Sequence, residues 1–159
     1  MKAIILIVSF LLEGVISNFV SMDGFLAPLF TLTALTVIYP LFEESNKYYK
    51  YAFFTGLAYD LFYTDTIIFH AILFCLMAFI ITKLNLVLTD NYVNMLVIVG
   101  ISILSYRVIT YLCLALVSNM AFNLEALLLS VLKSLIINLL YSVILFFVIK
   151  KSYKRKYKF

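Results

Sequence analysis

The chain has 159 residues, 65% of them hydrophobic and only 13% charged, with a formal net charge of +4 and a mean hydropathy of +1.12. A water-soluble domain of that size has too few polar side chains to cover its surface, so the composition excludes that class and leaves an all-α integral membrane protein. Twelve Tyr and fifteen Phe stand beside no Trp, which makes Tyr the interfacial aromatic.

Six apolar segments are predicted as transmembrane helices in one bundle, at about 3–21, 25–42, 51–63, 67–82, 93–118 and 126–149. Together they form one membrane domain, 1–149, followed by a basic tail, 150–159. The first segment resembles a signal peptide in having Lys2 before an apolar run, but Glu13 interrupts the run and no Ala-x-Ala site follows. A retained span is expected. Its polar residues Ser9, Glu13, Ser17 and Asn18 share one helical face. In the second segment Pro28 is expected in the first turn, where its missing N–H matters little, and Pro40 near the inner end.

The third segment holds Asp60, and a carboxylate at a helix centre costs about 2.5–3.5 kcal/mol on insertion scales. Ala52, Gly56 and Asp60 recur every four residues, so a small-residue groove and the acid share a face that must look at protein or trapped water. The third and fourth segments are short and joined by Thr64-Asp65-Thr66, which reads as two short spans or one re-entrant pair. Charge decides for two spans. With both termini cytoplasmic, Lys2, Lys47, Lys50, Lys83, Lys150, Lys151, Lys154, Arg155, Lys156 and Lys158 all lie inside. The outer loops then hold Asp23, Asp65 and Glu125 and no Lys or Arg, whereas a re-entrant pair would spoil this asymmetry.

Cys75 and Cys113 fall in apolar runs and read as free, buried thiols; no Cys/His cluster suggests a metal, and no cofactor is expected. The last span carries Ser130, Lys133, Ser134, Asn138, Tyr141 and Ser142 at spacings of three and four, a stripe suited to hydrogen bonding between helices. The tail is a topology anchor attracted to anionic lipid, and six charges lying against a membrane do not suit nucleic acid.

Glu13, Asp60, His70, Arg107 and Lys133 lie within spans, two acids against two bases and one histidine. At about 1.5 Å per residue, Glu13 and Arg107 fall near mid-membrane and Asp60, His70 and Lys133 toward the outer leaflet. Glu13–Arg107 and Asp60–Lys133 are therefore the expected pairs, with His70 near the second. These residues read first as ties that orient the bundle and second as the lining of a ligand or ion path.

Enzyme chemistry finds little footing. An intramembrane aspartyl protease needs a second carboxylate sharing a proton with Asp60, yet Asp23, Asp65 and Asp90 are in loops and Glu13 is deeper. His70 is the one His and has no Gly-x-Ser-x-Gly partner, and four Gly in all make no phosphate-cradling loop.

Gly56-Leu57-Ala58-Tyr59-Asp60-Leu61, followed by Thr66 and by Ala71 in the next span, resembles the Gly-x-x-x-Asp-Leu region of the rod shape-determining MreD family. Pro28 at the entry to the second span, a short basic inner loop, six spans and the chain length fit the same pattern. The specific match covers about 56–84. Two positions depart from it: Leu29 stands where an Asp often follows the Pro, and Asp65 replaces a small residue in the outer turn. The resemblance implies a non-catalytic scaffold of lateral cell-wall elongation in the bacterial plasma membrane. Its implied partners are the bitopic protein MreC, MreB filaments, RodA and a class B penicillin-binding protein. It also implies a bundle similar to the membrane subunits of energy-coupling-factor vitamin transporters. That likeness supplies the alternative, a substrate-binding transporter subunit with Asp60, His70 and Lys133 lining an outward cavity. Ala52, Gly56, Asp60, Lys133, Glu13, Arg107, His70 and Pro28 are the candidates for helix packing or partner binding.

Overall fold

The computed structural model describes residues 1–20, 28–64, 66–88, 91–118 and 123–156. Asp23, Asp65, Asp90, Lys158 and the 21–27 stretch of the first two spans lie outside the described residues. Six helices follow in order: α1 (Lys2–Val20), α2 (Phe30–Ile38), α3 (Ser45–Tyr63), α4 (Phe69–Val87), α5 (Tyr92–Ser118) and α6 (Leu124–Lys156). A 3-10 turn, Tyr39–Leu41, extends α2, with Pro40 inside it. By length and composition α4, α5 over Tyr92–Val117 and α6 over Leu124–Lys150 are sufficient to cross a membrane.

The two segments expected to be short are full helices. α3 and α4 have 19 residues each, about 28 Å at 1.5 Å per residue, close to the ~30 Å hydrocarbon core. Reading apolar runs cut them off at their first polar residues. α3 in fact begins among Ser45–Lys50, where Tyr48 is fully buried, and α4 continues through Lys83 and Asn85. α6 likewise continues into the basic strip as far as Lys156.

α2 is the reverse case, a nine-residue helix whose every residue is buried. It packs against α1, α4, α5 and α6 and so forms the post around which they stand. Pro28 is not in its first turn. Leu29, with φ −136° and ψ 51°, is the non-helical cap residue, and Pro28 precedes it, buried. α3 packs against α4, and α5 against α6, as two pairs of sequence neighbours. α1 turns Ile5, Leu6, Ser9 and Glu13 inward and leaves Ile4, Ile7, Val8, Leu11 and Val15 exposed. α6 does the same with Ser134, Asn138, Tyr141 and Ser142 inward and Leu132, Ile136, Leu140 and Ile144 outward. Cys75 and Cys113 are free, and both are half-buried rather than buried.

Candidate functional site

Any helix start leaves backbone N–H groups without intrahelical partners, and a Ser, Thr, Asp or Asn cap residue ordinarily answers them. α4 begins after Ile68, which has no acceptor to offer and is held at φ 67°, a conformation that a β-branched residue rarely adopts. The missing acceptor comes from the neighbouring helix. Asp60 Oδ1 accepts from the His70 backbone N–H at 3.0 Å and Oδ2 from that of Ala71 at 3.1 Å. Oδ1 also accepts from Thr66 Oγ1 at 2.7 Å and lies 2.8 Å from His70 Nδ1. Asp60 is 5% exposed, so these donors replace water for a carboxylate that would otherwise be stranded, and the positive end of the α4 dipole favours its charge.

Gly56 explains how α3 comes close enough. A Cβ there would overlap the His70 carbonyl oxygen and come to 2.6 Å from Ala71 Cα and 2.8 Å from Ala71 N. These are backbone atoms, which cannot swing aside. One turn later the same face delivers Asp60 to the α4 N–H groups, and Tyr48, Ala52, Gly56 and Asp60 together form the buried stripe of α3. The spacing Gly-x-x-x-Asp thus has a physical meaning: the glycine sets the approach and the acid caps the helix approached.

A second carboxylate performs the same task for α2. Leu29 also lacks a capping side chain, and Glu13 of α1 accepts from the Thr31 backbone N–H at 2.8 Å and from Thr31 Oγ1 at 2.6 Å. Asn138 of α6 accepts from the Leu29 N–H at 2.9 Å and from Thr33 Oγ1 at 3.2 Å. The start of the central helix is thereby held from two sides. Glu13 is 2% exposed and its other oxygen accepts from Tyr59 O–H at 2.8 Å. Tyr59 and Asp60 are adjacent on α3, so one residue faces the α2 cap and the next forms the α4 cap. The Tyr59 ring packs 4.9 Å from that of His70, which brings the two centres into contact. Ser9 of α1 and Tyr141 of α6 share a hydrogen bond of 2.7 Å one turn away. Among the described residues every buried side-chain nitrogen or oxygen has a partner.

The expected couples are rearranged. Asp60 bonds to the α4 N-terminus and His70 and not to Lys133, which lies half-buried on α6. Glu13 bonds to Thr31 and Tyr59; Arg107 is within electrostatic range of it but its Nε donates to Ser134 Oγ at 2.7 Å. The strongest donors available to these acids are backbone amides at helix starts without a capping side chain, which charge and depth do not reveal. Thr31, Tyr59, Thr66, Ser134 and Asn138 are the residues absent from the candidate set. Ser134 and Asn138 belong to the polar stripe of the last span, whereas Thr31, Tyr59 and Thr66 take their roles from the helix starts after Leu29 and Ile68, which carry no capping side chain.

The family model for rod shape-determining protein MreD matches residues 1–156, essentially the whole chain. The chain belongs to the MreD family. It is therefore a rod-shape-determining membrane protein by family, and the resemblance carried by Gly56–Leu61 extends across all six helices. Comparison with curated proteins and with solved structures gave no match. In this MreD-family chain the Gly-x-x-x-Asp-Leu segment is the place where one helix caps the next, and both buried acids are committed to that task. Their oxygens accept from donors on neighbouring segments, an arrangement that holds helices in place.

Proposed function

We propose that this protein is a six-span scaffold of the bacterial plasma membrane with both ends cytoplasmic, which binds a bitopic MreC-like partner within the elongation machinery. Through that partner it regulates cell shape and lateral peptidoglycan synthesis alongside MreB, RodA and a class B penicillin-binding protein. The observation that carries this reading is the use of Glu13 and Asp60 as caps supplied across helices. The polar interior is spent on fixing the bundle, so binding falls to its outer helix faces, which are broadly apolar. The transporter alternative requires Asp60 and His70 to face a ligand, whereas they face each other and the start of α4. The Lys and Arg distribution supports the orientation.

Affinity purification in mild detergent tests the reading. Recovery of a bitopic partner with this chain as bait is the expected result. A bound small molecule with no membrane partner would replace the scaffold by the transporter subunit.

A further inference from the structure

An apolar slot of about 460 Å³ opens between α1 and α3, lined by Leu6, Ile7 and Phe10 on one side and Tyr51, Phe54 and Ala58 on the other. Its polar groups are few. Thr55 Oγ1 is already bonded to the Tyr51 carbonyl at 2.6 Å, which leaves the Tyr51 hydroxyl and, as the one charged group of the lining, Lys50. Lys50 is exposed and has no ion-pair or hydrogen-bond partner among the described residues, unlike its neighbour Lys47, which pairs with Glu44 at 3.0 Å. Lys2 lies at the same end, its ammonium 4.2 Å from the centre of the Phe42 ring.

Length decides what the slot can hold. From Lys50 to Ala58 α3 rises about 12 Å, under half of the ~30 Å hydrocarbon core. Beyond that point the slot is shut. The Phe10 ring packs on Tyr59, Phe62 and Tyr63 at 6.4, 6.0 and 4.4 Å, and the Tyr63 hydroxyl donates to the Phe10 carbonyl. A helix that crosses the bilayer could not lie in a groove closed near mid-membrane. A lipid tail, which spans a single leaflet, could. An unpaired ammonium at the open end supplies the complement to an anionic headgroup, with the Lys stem along apolar wall and its charge in the interface.

We propose that the α1–α3 slot binds the acyl chain of an anionic phospholipid whose phosphate is held at Lys50. The leaflet assigned, the cytoplasmic one, rests on the orientation proposed above; the site itself does not. It is distinct from the basic tail, which offers charge without a cavity.

The absence of Trp provides a clean probe, because Phe54→Trp places the one indole at the slot edge, where Phe54 is 66% exposed. The variant is reconstituted into vesicles in which either phosphatidylglycerol or phosphatidylcholine, at equal mole fraction, carries brominated acyl chains. Phosphatidylglycerol should quench with an apparent association about fivefold stronger, the effect of one Lys at an anionic surface. Adding Lys50→Gln, an exposed change that leaves the fold intact, should bring the ratio close to one. Adding Ala58→Phe should fill the slot and bring quenching by phosphatidylglycerol down to the level that surrounding phosphatidylcholine gives at an exposed indole. Equal quenching by the two lipids, no quenching, or a ratio unmoved by Lys50→Gln overturns the proposal. So does an Ala58→Phe variant that keeps its phosphatidylglycerol preference but loses the bitopic partner, which would give the slot to a protein. Orientation is read separately by impermeant maleimide on Lys50→Cys in a Cys75→Ser, Cys113→Ser background. Labelling from outside the cell would refute the topology, while lipid preference in symmetric vesicles would still report on the slot.

Discussion

Replacing Asp60 by Ala removes the acceptor for two backbone N–H groups of α4 and for Thr66 and His70 at once. Each buried donor left without a partner costs about 1–3 kcal/mol, and loss of a helix cap alone about 0.5–2 kcal/mol. Thr66 and the His70 ring can turn toward other partners or water; the amides of His70 and Ala71 cannot, being fixed in the first turn. The sum expected for Asp60→Ala is therefore about 2–4 kcal/mol. Asp60→Asn keeps one oxygen for one amide but presents its NH2 to the other donor, so about 1–2 kcal/mol is expected. Thermal unfolding in mild detergent, followed by helix signal, should place the melting points in the order wild type, Asn, Ala. With about 2–4 °C per kcal/mol at this chain length, Ala should fall by roughly 4–16 °C. Partner recovery should fall in the same order. A melting point for Asp60→Ala within a degree of wild type would refute the reasoning.

Gly56→Ala should destabilise by about 1–3 kcal/mol through overlap with the His70 and Ala71 backbone, and combining it with Asp60→Ala should add little, because both break the same contact; full additivity in the melting points would count against it. Glu13→Ala should cost about 2–4 kcal/mol, while the charge swap Glu13→Arg with Arg107→Glu should rescue nothing, its partners being Thr31 and Tyr59; recovery of stability in the swap would restore the pair expected from depth. Asn138→Leu should cost about 1–3 kcal/mol by stranding the Leu29 amide, also read by melting. Ile68→Asn, which accepts φ 67° more readily, should stabilise by about 1 kcal/mol, and a lower melting point would show that the Ile side chain outweighs its backbone strain.

Much of the fold was legible because periodicity and apolar length survive in any membrane sequence. The four-residue recurrence of Ala52, Gly56 and Asp60 identified the buried face of α3, and the Ser9–Glu13 and Ser134–Asn138 repeats identified those of α1 and α6. The partners of that face were not legible. Side-chain charge can be read from letters and points Asp60 toward Lys133, whereas a backbone amide is the same at every position. Only the geometry of the α4 start makes the amides of His70 and Ala71 special. The lengths of α3 and α4 were hidden for a related reason. Lys47, Lys50, Lys83 and Asn85 interrupt the apolar runs, yet at helix ends their polar groups reach the interface and the helix continues through them. α2 erred the other way, since nothing apolar in 25–42 announces that the helix begins only at Phe30, where Glu13 and Asn138 meet it.

Peptide-level hydrogen exchange on Glu13→Ala and Asp60→Ala tests most directly that the two acids cap helices across the bundle. Asp60→Ala should lose protection at the start of α4, around His70–Phe74, and Glu13→Ala at the start of α2, around Thr31–Leu35, with α5 and α6 unchanged in both. Unchanged protection at those two starts, or an equal loss spread over all six helices, would contradict it.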